Sequence, residues 1–156
     1  MVKTNAMRLL EQAGVAFRTA EYEVDEDDLS GEKVARQIGL PPEQVFKTLI
    51  ARGDKRGILV FCLPVSETLD LKKAAEAGCD KSVEMTHMKE LLPISGYIRG
   101  GVSPIGMKRK YPTFIDETAI LFGEIAVSAG VRGAQIIVDP VSLIGILEAV
   151  EADLTV

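Results

Sequence analysis

One lysine interrupts an otherwise apolar run, Val45-Phe46-Lys47-Thr48-Leu49-Ile50. Burying an ammonium is costly unless it is paired, so Lys47 has two readings. It is either a solvated charge on a half-exposed strand or a cation held in a site. Strict alternation sets Val45, Lys47 and Leu49 on one face and Phe46, Thr48 and Ile50 on the other. A second feature is the loop Gly100-Gly101-Val102-Ser103-Pro104-Ile105-Gly106. Closely spaced backbone N–H groups near glycines can form a concave nest for a phosphate or a developing oxyanion. The same glycines would equally serve a tight connection between sheet layers. Lys47, Arg99, Lys108, Arg109, Lys110 and Arg132 together could make a local basic patch, although charge runs also form plain solvated faces.

Other reactive side chains carry less. Ser103 and Ser128 sit in no nucleophile-elbow spacing, and the single His87 leaves little choice of base, which argues against a serine hydrolase. Cys62 lies in the apolar run Ile58-Leu59-Val60-Phe61-Cys62-Leu63 and reads as a packed small hydrophobe. His87, Cys62 and Cys79 have no zinc-ligand spacing, so neither metal nor cofactor is expected. Two cysteines are too few for a disulfide framework. Tyr22 ends a strand beside the acidic run Asp25-Glu26-Asp27-Asp28 and reads, alone, as an edge aromatic.

The elements that must position these residues follow from caps and periodicity. Thr4 or Asn5 caps a helix with Ala6, Met7, Leu10 and Ala13 inward, stopped at Gly14, and a strand follows over about 15–22. Ser30 caps a helix carrying Val34, Ala35 and Ile38 up to Gly39, and Pro41-Pro42 breaks the chain. Strands at 45–52 and 58–63 form a hairpin across Gly53-Asp54-Lys55-Arg56-Gly57. Asp70 caps a helix ending at Gly78, 81–84 is a short strand, and Thr86 caps a helix through Leu92 before Pro93. Strands near 113–115, 124–128 and 135–138 precede a helix capped by Asp139, with Pro140 in its first turn and Leu143, Ile146 and Leu147 inward.

With 156 residues, 47% of them apolar, the chain fits one domain spanning 1–156 and built on a mixed sheet able to curl into a barrel. No apolar run approaches the ~20 residues of a membrane helix, and the start, Met1-Val2-Lys3-Thr4-Asn5, lacks the order of a secretory signal. A cytoplasmic location is expected. The net charge of −5 makes any nucleic-acid contact local rather than a broad phosphate footprint.

Together, Phe46-Lys47-Thr48-Leu49, the 100–106 loop, Ile115-Asp116 and Val127-Ser128-Ala129-Gly130-Val131-Arg132-Gly133 resemble the YbaK/EbsC family of aminoacyl-tRNA deacylases. Tyr22 and Leu69-Asp70-Leu71-Lys72-Lys73 extend the likeness over essentially the whole chain. It is also similar to the editing insertion of bacterial prolyl-tRNA synthetases. The resemblance implies an α+β fold, a mixed, barrel-like sheet with surrounding helices. It further implies removal of cysteine misattached to tRNA(Pro), with prolyl-tRNA synthetase as a transient partner.

Carried onto this chain, the resemblance implies Lys47 with Gly100, Gly101 and Ser103 as the catalytic set. Tyr22, Phe46, Thr48, Val102, Pro104, Ser128 and Gln135 become substrate-binding positions, and Arg99, Lys108, Arg109, Lys110 and Arg132 tRNA contacts. Cysteine-specific members carry an aspartate where this chain has Gln135, which leaves alanyl or another small aminoacyl group open as the substrate. A binding module without turnover is the other alternative.

Overall fold

The computed structural model describes residues 2–156, and Met1 lies outside them. Four of the expected caps form. Thr4 Oγ accepts from the Met7 N–H at the start of α1 (Asn5–Gln12), and Ser30 Oγ accepts from Lys33 N–H at the start of α2 (Gly31–Ile38). Asp70 holds the Lys72 and Lys73 N–H groups at the head of α3 (Leu71–Ala77), and Asp139 holds Ser142 N–H at the head of α5 (Pro140–Leu147). Each satisfies helix-end donors that would otherwise lack a partner.

Thr86 behaves differently. Its hydroxyl and its N–H both donate to the Ile50 carbonyl, at 2.9 and 3.2 Å, and the turn begins instead at His87, whose N–H donates to the Glu90 carboxylate. After a short 3₁₀ turn, α4 (Leu91–Ser95) runs through Pro93 rather than stopping before it. In a helix's first turn the missing proline N–H has no intrahelical acceptor to lose.

The strands are β1 (Phe17–Glu21), β2 (Phe46–Gly53), β3 (Gly57–Pro64), β4 (Val83–Met85), β5 (Thr113–Asp116), β6 (Ile125–Ser128), β7 (Ala134–Val138) and β8 (Val150–Ala152). They pair as two sheets, β1-β7-β6 and β4-β2-β3-β5-β8. β3–β5 and β5–β8 are parallel and the remaining pairs antiparallel. This is a mixed α+β architecture, and among the described residues the pairings do not close into a barrel. The sheets meet instead at one parallel bridge, Val45 to Ala126.

That junction makes a fork. On one edge β2 pairs with β3 along its whole length, whereas on the other it pairs with β4 only from Ala51 to Gly53, and the bridge to β6 is made by Val45, the residue just before β2. Between those points, residues 46–49 pair with no strand on that edge. Below the fork, Phe46, Val60, Cys62, Ile105, Ile115 and Val127 belong to the largest buried cluster. On the opposite face, Val45, Ala126 and Ile137 are closed over by Ala35 of α2 and by Val65. No described helix is long and apolar enough to cross a membrane.

Candidate active site

Strand periodicity builds the site from the junction. Val45 is level with Ala126, and Ala126 is level with Ile137, so these three form one apolar row under α2. Moving two residues along each strand keeps the same face. That step reaches Lys47 on β2, Ser128 on β6 and Gln135 on β7, with Ser128 and Gln135 directly paired. A polar row therefore follows the apolar one. All three residues line a cleft of about 500 Å³, the volume range of a small-molecule site.

Lys47 is half-buried, and its Nζ donates to the Glu67 carbonyl at 2.6 Å. An ammonium has three donors, so two remain for a ligand. Burial pushes the Lys47 pKa below its ordinary value, while the charges of Glu32 and Glu67 pull it partly back. Lys47 is thus neither fully solvated nor sealed: the 64–67 turn supplies its Glu67 partner, and Gly31 and Val34 of α2 line the same cleft. Gln135 is 5% exposed, and its Oε1 has no hydrogen-bond partner. Ser128 is 9% exposed, and its Oγ accepts from the Gly130 N–H at 3.2 Å.

The glycine loop closes one side of the cleft by packing against the 129–133 loop. A Cβ on Gly101 would lie 3.0 Å from the Val131 carbonyl carbon and 3.1 Å from Arg132 N, so any larger residue would press the two loops apart by a few tenths of an ångström. Gly100, at φ +85°, borders the side chains of Arg132 and Leu29.

The chain matches the aminoacyl-tRNA editing domain family over residues 26–146. A curated protein of Enterococcus faecalis is 45% identical over 153 residues, 98% of this chain and 93% of its own length. Its provisional name is Cys-tRNA(Pro)/Cys-tRNA(Cys) deacylase EbsC. The chain belongs to the aminoacyl-tRNA editing domain family. Solved structures agree in fold. One, described provisionally as a trans-editing enzyme for prolyl tRNA synthetase, superposes with TM-score 0.84 at 24% identity over 98% of both chains. A hypothetical protein superposes with TM-score 0.86 at 19% identity, over 96% of this chain and 97% of its own.

Within this editing domain the structure brings Tyr22, Phe46, Lys47, Thr48, Arg99, Gly100, Val102, Ser128 and Gln135 to one cleft. It does not bring all the expected catalytic set there. Gly101 N–H closes a turn onto the Ile98 carbonyl at 2.9 Å, and Ser103 is fully buried with its Oγ accepting from Ile105 N–H. Neither residue lines the cleft, and neither does the buried Pro104. The reason is geometric: a loop held this close to 129–133 spends its polar groups on its own folding.

The basic residues are also divided. Arg99 lines the cleft, and its carbonyl accepts from Arg132 Nε at 2.8 Å; Arg132 also stands 3.9 Å from Glu26. Lys108, Arg109 and Lys110 are exposed outside the cleft, with Lys110 paired to Glu148.

Several contributors have no local sequence signal. Leu29, Val34, Val65, Met85, Met88 and Leu91 also line the cleft. Only the amphipathic pattern of α2 pointed to Val34. Glu32 and Glu67 act on Lys47 from separate elements.

Cys62 is fully buried across from Thr48, and burial pushes its thiol up to about 12, far from a nucleophile's range. Among the described residues, no group of three or more His, Cys, Asp or Glu side chains is placed to hold a metal ion.

Proposed function

We propose that this editing domain acts in trans as a hydrolase that deacylates mischarged tRNA, with cysteinyl-tRNA(Pro) as its leading substrate and Lys47 as its central group. The observation that carries this reading is the half-buried Lys47 ammonium, set in one row with Ser128 and Gln135 along a cleft of about 500 Å³. The 45% identical relative, named for deacylation of cysteinyl-tRNA, supports the substrate class.

An aminoacyl ester is already activated, so orientation and charge stabilisation at its carbonyl oxygen suffice. Lys47 directs its two remaining donors at that oxygen or at the terminal ribose and phosphate. Gly100 and Val102 line the cleft with it, and their backbone N–H groups are the proposed oxyanion donors, while Gly101 and Ser103 set the loop's shape. With a cysteinyl substrate, the substrate's own sulfur attacks its carbonyl carbon. The C–S bond forms, the ester C–O bond breaks, and the thiol proton goes to the departing ribose oxygen. The products are a small thiolactone and free tRNA, and no protein nucleophile is consumed. Other aminoacyl groups need a positioned water.

A second substrate reading, an alanyl or other small aminoacyl-tRNA, is kept by the neutral Gln135, whose amide offers an acceptor and two donors to any aminoacyl group. A net charge of −5 gives the domain a weak phosphate footprint, so tRNA choice is borrowed from a transient complex with prolyl-tRNA synthetase in the cytoplasm. Arg99 and Arg132 lie nearest the incoming strand, with Lys108, Arg109 and Lys110 farther out.

The deciding experiment assays a panel of mischarged tRNAs with wild type and Lys47→Ala. Cysteinyl-tRNA(Pro) is expected to be cleared fastest, with turnover lost in the variant. Near-normal turnover by Lys47→Ala sinks the assignment. Binding without turnover of any charged tRNA would establish a docking module instead.

A further inference from the structure

Gln135 Oε1 is the buried side-chain oxygen or nitrogen among the described residues left without a hydrogen-bond partner. The residue is 5% exposed and lines the cleft. An acceptor stripped of water and given no donor is a standing cost to the fold. Its cross-strand neighbours do not relieve it: Ala20 has no polar side chain, and the one contact of Ser128 Oγ is to Gly130 N–H. Beside a cleft, such a group is poised to take the missing donor from a ligand.

We infer that Gln135 Oε1 accepts a hydrogen bond from the α-amine of the aminoacyl group, making the free amine a requirement of the site. This deepens the deacylase reading and rests on it. The two groups that would bracket the substrate lie in one row. β2, β6 and β7 are successive neighbours at the junction, so Lys47 and Gln135 are two strand spacings apart, about 10 Å at the backbone. An aminoacyl ester has its carbonyl at one end and its amine one carbon away, and it fits across such a span with a hydrogen bond at each end. A neutral acceptor takes an N–H donor whether the amine is protonated or not. It therefore reads the feature common to every aminoacyl group and leaves side-chain choice to the walls made by Leu29, Val34, Val65 and Met85.

The test uses nonhydrolysable amide-linked analogues: cysteinyl- and alanyl-3′-amino-3′-deoxyadenosine, and their deaminated counterparts carrying 3-mercaptopropionyl and propionyl groups. Wild type is expected to bind each amine-bearing analogue about 10- to 100-fold more tightly than its deaminated partner, the range set by leaving one buried acceptor unpaired. Gln135→Leu should bind both members of each pair equally, with a thermal midpoint no lower than wild type. Equal binding of both members by wild type overturns the proposal, and that arm needs no variant. A full amine preference retained in Gln135→Leu also overturns it. So does a change confined to the cysteinyl-to-alanyl ratio, which would assign the acceptor to the substrate side chain. Amine-selective binding by wild type that fails to clear any charged tRNA would sink the deacylase reading while leaving this one standing.

Discussion

Two buried polar residues, one in each sheet, show how differently this fold treats its polar groups. Asp116, at the end of β5, is 2% exposed, and both of its carboxylate oxygens have hydrogen-bond partners. It accepts from Thr118 N–H and Thr118 Oγ on one oxygen and from Leu154 N–H on the other, at 3.3, 2.6 and 3.0 Å. Gln135, at 5% exposure in the smaller sheet, leaves Oε1 unmatched. The first pattern fastens the C-terminal segment against the larger sheet. The second leaves bonding capacity open to a ligand. Satisfied polar groups mark architecture, and unmatched ones beside a cleft mark function. Lys47 belongs with Gln135, since only one of its three donors is taken within the fold.

Lys47→Ala should produce the largest effect and separate the two regions most sharply. Removing a preorganised donor to a developing oxyanion costs about 10²- to 10³-fold in turnover. Cysteinyl-tRNA deacylation should fall by that factor, while the urea midpoint stays near wild type. A variant that unfolds instead would move Lys47 to the architectural side.

Asp116→Ala is the mirror experiment. It strands the buried Leu154 N–H and frees the Thr118 hydroxyl, a loss of about 2–4 kcal/mol from charged hydrogen bonds and unmatched donors. Urea denaturation should show that loss, with specific activity per folded molecule within about twofold of wild type. Loss of specific activity without loss of stability would break the distinction.

How much of this was legible in the sequence depends on the range of the interaction. The caps at Thr4, Ser30, Asp70 and Asp139 were readable because each contact spans two or three residues. Thr86 was misread because its partner, the Ile50 carbonyl, is a strand neighbour 36 residues away. β8 was missed: three residues just after a helix carry no alternation to read. At the site, alternation set the correct face for Lys47 but could not say what covers it. Its partner comes from the 64–67 turn, α2 contributes to the same cleft, and the parallel bridge from Val45 to β6 aligns Lys47 with Ser128 and Gln135. The glycine loop was recognisable as shaped. That Gly101 and Ser103 would turn inward depended on its contact with 129–133.

Gly101→Ala probes that contact and should have an intermediate effect. Its Cβ would meet backbone of the 129–133 loop at 3.0–3.1 Å, so the loops must separate by a few tenths of an ångström, and backbone yields less readily than a flexible side-chain tip. Displacement of Gly100 should lower deacylation about tenfold or more through misorientation, with a stability loss of about 1–3 kcal/mol from overpacking. Unchanged activity would show that the loop's position is irrelevant to the chemistry. By contrast, the Cys62→Ala, Cys79→Ala double variant should keep activity per folded molecule close to wild type, because Cys62 is sealed in the core and its thiol is held up to about 12.

The smallest effect is the pH dependence carried by Lys47. Burial lowers its pKa below 10.5, against the opposing charges of Glu32 and Glu67. In the unfolded chain the group titrates near its ordinary value, so between the two values the unfolded state binds the proton more tightly. Below its folded pKa, the ammonium's desolvation therefore costs stability. That cost fades as pH rises through the window toward 10.5. Lys47→Met retains the stem and removes the charge, so the stability of wild type relative to this variant should improve across the same window. Side-chain NMR should place the Lys47 titration midpoint below 10.5. A midpoint above it would mean that Glu32 and Glu67 outweigh burial, and Lys47 would then be an ion-paired strut more like Asp116 than like Gln135.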